Sequence, residues 1–167
     1  MSRNSRVRTR DPRRIRTGER GNAIIETALV LPLLLLLTFS IVDFASLFYA
    51  YLAIENGVSQ ATRLAVTGAA VADPANPSQS LSRQDAIMYT FRQATPTLTL
   101  PDSAFTFAHM PPGGSSWVSG VGGPGDVEKV TVDYTWDFMT PLIRPFFTNG
   151  QLHLLVSSSM KNEGRFN

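Results

Sequence analysis

Between Thr27 and Val42 the chain carries no charged side chain, and this run constrains the fold more than any other feature. With Glu26 tolerated, the apolar stretch reaches back to Ala23, about the twenty residues that cross a bilayer core as a helix. It reads as a membrane-spanning helix, with the span placed at about 23–46 inside a longer helix over 22–68. Pro32 falls inside the span, where it removes one backbone donor and is expected to loosen or bend the helix, which membranes tolerate better than water does.

The charge is lopsided about this run. The formal net charge is +2, yet the first 21 residues hold eight Arg against Asp11 and Glu19, and the remainder is acidic. Arginines clustered beside an apolar span hold that end in the cytoplasm. The expected topology is therefore a single pass in a bacterial inner membrane, with 1–21 as a basic cytoplasmic leader and 69–167 as an extracytoplasmic domain. The same tail has the charge to neutralise nucleic-acid phosphates, but the topological reading accounts for its position beside the span, and no nucleic-acid partner is expected. The apolar core is too long for an ordinary cleaved signal peptide or for a twin-arginine signal built on Arg13-Arg14. The lack of cysteine means only that no disulfide staples the domain.

At the border between leader and span stands Gly21-Asn22-Ala23-Ile24-Ile25-Glu26. A carboxylate inside hydrocarbon costs roughly 2.5–3.5 kcal/mol on insertion scales, so Glu26 calls for a partner or a function. If the chain is cut after Gly21, the new α-amino group of Asn22 is a cation close to Glu26, in the same subunit or a neighbour. The bland alternative is a carboxylate at the membrane interface, reaching into water.

Gly-x-x-x-x-Glu after an Arg-rich leader is the prepilin-type processing pattern, and the string Glu26-Thr-Ala-Leu-Val-Leu-Pro-Leu-Leu-Leu-Leu-Leu resembles TadE-like pseudopilins of tight-adherence (Flp, type IVb) pilus systems. The resemblance continues through Ile41-Val-Asp-Phe, Phe48-Tyr-Ala-Tyr, Glu55-Asn and Ala61-Thr-Arg. It implies cleavage after Gly21 by a prepilin peptidase, Glu26 as fifth residue of the mature chain, and pilin or pseudopilin subunits as partners. Asn22 departs from the small apolar residue usual at the first mature position. The alternative function is an uncleaved single-span anchor presenting a small binding domain, which needs neither Gly21 nor Glu26 where they are.

Past Val42 the helix becomes one-sided. Leu47, Tyr51, Ile54, Val58, Ala61 and Ala65 recur at steps of four and three, the spacing of one helical face, and form the expected packing stripe. Such a stripe is a seam against the chain's own domain more often than a site for another protein, though the resemblance implies that with Glu26 and Pro32 it can also serve assembly. Asp43, Glu55 and Arg63 are expected off it, in solvent. Gly68 is the expected terminator.

A proline-punctuated linker over 69–80 should lead to a second helix capped by Ser82, with Asp85 three residues on, and stopped by Pro96. A short strand is expected around Phe105–Ala108, followed by a mobile glycine- and proline-rich loop over 111–125 without regular structure. Lys129–Phe138 alternates apolar Val130, Val132, Tyr134, Trp136 and Phe138 with polar neighbours, the mark of a sheet covered on one side. Asn149-Gly150 signals a turn, and Gln151–Met160 is the return strand, with Leu155 out of pattern. The expected fold is α+β, a long N-terminal transmembrane and amphipathic helix packed on a small antiparallel sheet, pilin-like in outline.

No enzyme is expected. Two histidines, no cysteine and singly spread acids leave too little for a metal cluster or a Ser-His-Asp set. Asp133 and Asp137 share a strand's wet face and read as solvated. No catalytic residue, metal or cofactor is assigned.

Overall fold

The computed structural model describes residues 17–164, with only the backbone helix described for 17–20. The basic leader before Thr17, including Arg13-Arg14, lies outside the described residues. Helix α1 runs Thr17–Thr67 and passes through Pro32. It begins five residues before Asn22, so the Gly21-Asn22 bond lies within a helix. The chain divides into a first unit ending at Thr38 and a second beginning at Phe39.

In the first unit the apolar side chains are uncovered, as in Leu29, Leu33 and Leu37. Thr27 Oγ1 donates to the Ala23 carbonyl at 2.8 Å and Thr38 Oγ1 to Leu34 at 2.8 Å. Hydroxyls that bond their own helix add no unmet polar demand, which suits a segment surrounded by hydrocarbon. One described helix, 21–67, is long and apolar enough to cross a membrane.

The second unit is α+β. Helix α2 spans Arg83–Ala94, capped by the Ser82 hydroxyl, which accepts from the Asp85 amide. Four strands follow: β1 Phe105–Met110, β2 Val118–Ser119, β3 Val127–Asp137 and β4 Gln151–Lys161. They form one antiparallel sheet in the order β2-β1-β3-β4. The β3/β4 register runs from Val127 opposite Lys161 to Asp137 opposite Gln151, with Val132 facing Val156.

The core lies where α1, α2 and the inner face of the sheet meet. Ile54, Val58, Ala61 and Ala65 from α1 join Ile87 and Phe91 from α2 with Phe105, Phe107, Val130, Val132 and Val156 from the sheet. Phe91 and Phe105 meet edge to face, with centroids 5.0 Å apart. Gly68 ends α1 at φ 64° and donates to the Leu64 carbonyl at 3.2 Å, the left-handed C-cap that glycine adopts without strain.

Gly57 is buried on α1, and a Cβ there would stand 2.7 Å from Thr95 Cγ2 and 2.9 Å from the Phe91 ring. The two helices approach because this position has no side chain. Gly57→Ala should therefore destabilise the domain by about 1–3 kcal/mol through overpacking, even though alanine gains up to about 1 kcal/mol of helix propensity. Thermal unfolding of the purified chain in detergent checks this, with Gly21→Ala as the comparison, since a Cβ at Gly21 meets nothing within 4 Å.

The glycine- and proline-rich loop differs from its expectation. Val118 and Ser119 pair with His109 and Ala108, His109 Nδ1 lies 3.0 Å from the Gly120 carbonyl, and Asn162 Nδ2 donates to Gly123 O at 2.8 Å. Glycines here expose backbone groups that buried polar side chains need, so a stretch without hydrophobic periodicity is still held. The Trp117 ring, partly exposed, lies under the Lys129 ammonium at 5.2 Å.

Candidate functional site

The candidate segment has two parts on α1. The first is the expected processing motif. Gly21, Asn22 and Glu26 are all exposed on the helix, and a side chain at Gly21 would enter open space. Glycine inside a helix costs about 1 kcal/mol relative to alanine. Nothing in the described fold asks for glycine at this position.

The second part is the packing stripe. Leu47, Ile54 and Val58 are buried, but Tyr51 is 40% exposed, and Ala50, at 1%, stands in its place. The reason is angular. At about 100° per residue, Tyr51 lies about 60° from Ile54 around the helix, whereas Asp43, Leu47, Ala61 and Ala65 lie within about 20°. The stripe therefore runs 43, 47, 50, 54, 58, 61, 65, and Tyr51 sits on its shoulder.

That phase puts Asp43 at the end of the stripe, and the structure corrects its expected solvation. Asp43 is fully buried. Its Oδ1 accepts from the Met139 amide at 3.0 Å, and Oδ2 accepts from the Thr140 amide at 3.2 Å and from the Thr140 hydroxyl. A carboxylate placed directly after an uncharged run thus ties the helix to the segment between β3 and β4. Leu47 packs beside it with Phe138 and Ile143 in a second, smaller cluster. Glu55 and Arg63 are exposed, as the pattern implies.

A second buried acid escaped the sequence reading. Glu128 is fully buried on the inner face of β3, in step with Val130 and Val132. Its Oε2 accepts from the Gly122 amide at 2.7 Å and lies 3.5 Å from Arg83 Nη2. Arg83, at the start of α2, also donates to the carbonyls of Ala65, at 2.7 Å, and Gly122. Burial holds the Arg83 guanidinium below its ordinary pKa, against the opposing pull of Glu128 and Asp126. These bonds bind the end of α1, the start of α2 and the glycine-rich loop to β3. Continuing the alternation of β3 one step back from Val130 would have found Glu128; no local signal marks Arg83.

On the outer face of the sheet Asp133 and Asp137 are exposed, with His153 Nδ1 3.8 Å from Asp133 Oδ1 and 3.2 Å from Thr135 Oγ1. This is an open, weakly connected surface.

No curated protein and no solved structure matches the chain. Residues 21–63 match the family model described as TadE-like protein. The match begins at Gly21, takes in Glu26, Pro32, Asp43 and most of the buried stripe, and ends at the exposed Arg63. The stretch from Gly21 to Arg63 is thus TadE-like, as its residues imply.

Proposed function

We propose that the chain is a minor pseudopilin of a tight-adherence pilus, trimmed after Gly21 by a prepilin peptidase and acting in pilus assembly or initiation. The role is structural rather than catalytic. The observation that carries this reading is Gly21 itself, a helix-weakening residue at an exposed position where a Cβ would meet nothing within 4 Å, at the first residue of the TadE-like match. A recognition sequence read by another protein explains such a glycine; packing does not. Because the bond lies inside α1, cleavage requires the helix to open there, and glycine lowers that cost. The leader then stays on the cytoplasmic side, and the domain after 68 lies outside the inner membrane.

Glu26 is the residue of the mature helix that needs a partner. In a bundle of pilin-like helices its carboxylate would meet an α-amino group, its own or a neighbour's, and the pair would offset the cost of placing either charge in hydrocarbon. Leu47, Ile54 and Val58 serve the packing of the subunit's own domain, and the exposed Tyr51 is left for neighbouring subunits.

The test is piliation. A strain lacking this chain should show few or no surface pili by electron microscopy, regain them with the wild-type chain, and regain well under half with Glu26→Ala at matched membrane levels. Normal piliation without the chain would count against the reading and leave an anchored binding domain in its place.

A further inference from the structure

The segment between β3 and β4 divides its apolar side chains into two sets. Phe138 and Ile143 are buried, and Phe147 stacks on Phe138 with centroids 4.2 Å apart. Met139, Leu142 and Phe146 face outward, exposed by 64%, 40% and 73%. Outward-facing Leu and Phe are common singly, but here three large exposed apolar side chains fall within eight residues. From 138 to 150 the only charged residue is Arg144.

The segment's position is fixed by its bonds. Asp43 holds Met139 and Thr140, and Ile143 clusters with Leu47, so the segment is tied to α1 within one helical turn, about 6 Å of rise. That turn follows directly on the uncharged run ending at Val42. Ile41, Val42 and Phe44 are exposed on this part of α1, and the Phe44 ring meets the segment's buried Phe138 edge to face at 6.1 Å.

We infer that Met139, Leu142 and Phe146 form a foot that seats in the outer leaflet of the bilayer where α1 leaves it, with Arg144 facing lipid phosphates. The inference rests on the reading that α1 crosses the membrane. Hydrocarbon is the occupant that the neighbouring helix surface already requires, and an arginine at the edge of apolar side chains can keep its charged head at headgroup level while its stem lies along them. Buried Asp43 is the clamp that sets the foot's height: its two backbone bonds fix the segment to the helix whatever the lipid does.

The chain has no cysteine, so single cysteines can carry a nitroxide label. The full chain with Leu142→Cys or Phe146→Cys is reconstituted in vesicles of equal parts phosphatidylethanolamine and phosphatidylglycerol, with Leu33→Cys in the span and Ser115→Cys in the exposed loop as references. All four positions are exposed in the protein, so the labels spare the core. Collisions with oxygen, which concentrates in lipid, are compared with collisions with a water-soluble nickel chelate. Labels at 142 and 146 should favour oxygen several-fold more than the label at 115, with depths between those at 33 and 115. Nickel accessibility equal to that at 115, with 33 still in lipid, would overturn the foot alone. Exclusion of both reagents at 142 and 146 would mean a protein covers the patch and would overturn it too. Nickel access at 33 would overturn the span and the foot with it.

Discussion

An Arg83→Met chain should lose about 3–5 kcal/mol of stability, the cost of leaving a buried charge without its partner. Glu128 is fully buried, and Arg83 is the cation at 3.5 Å from it. Glu128 Oε1 accepts no hydrogen bond among the described residues, so the remaining Gly122 amide cannot replace the guanidinium. Methionine keeps much of the arginine stem's volume, so lost packing is a minor part of the effect. The double variant Arg83→Met, Glu128→Met should recover most of the loss, because a well-packed apolar pair in place of a buried ion pair is often neutral or stabilising. Urea unfolding of the full chain in detergent, followed by the fluorescence of Trp117 and Trp136, reads the cycle. Equal losses in the single and double variants would show that Arg83 acts through its other contacts, the bonds to Ala65 and Gly122 among them, and not through Glu128.

Asp43→Ala should cost at least about 3 kcal/mol, because a hydrogen bond to a charged acceptor contributes about 1.5–3 kcal/mol, this carboxylate takes three, and bonds within one network add less than their sum. The loss should be local. Hydrogen exchange at Met139 and Thr140 should quicken by at least about tenfold, equivalent to about 1.4 kcal/mol, while the amides of β3 near Val130 and Val132 keep their protection. Asp43→Asn, which retains one accepting oxygen, should fall between. Unchanged exchange at 139 and 140 would mean that the segment is held by Phe138, Ile143 and Phe147 alone.

Both carboxylates show where the sequence was legible and where it was not. The long helix, its end at Gly68, the Ser82 cap and the strands through Val130 and Leu154 all follow from local rules: apolar runs, periodicity, one glycine, one hydroxyl. Each of those signals is carried by residues adjacent in the chain. Asp43 and Glu128 broke the rule that charges face water, because their partners are 96 residues away, as between Asp43 and Met139, or on another element, as between Glu128 and Arg83. Their positions were nonetheless in phase with the apolar faces around them. An acid that falls in step with a buried stripe was the available signal, and charge alone obscured it. Tyr51 is the converse: the spacing was acceptable, but a large ring on the shoulder of the stripe turned outward while Ala50 went in.

Val118–Ser119 was illegible for a different reason. A two-residue strand has no periodicity to read, and its place is set by pairing with His109 and Ala108. The proposed processing motif lies at the other extreme, since Gly21 and Glu26 stand out in the sequence while the structure adds only that both are exposed on the helix.

The central claim concerns that motif, and the most direct test is the N-terminal residue of the chain extracted from membranes, read by intact mass in cells with and without prepilin peptidase, beside a Gly21→Asp variant. The account predicts a chain beginning at Asn22 only when both the peptidase and Gly21 are present. A chain that keeps its arginine leader in every strain would contradict it.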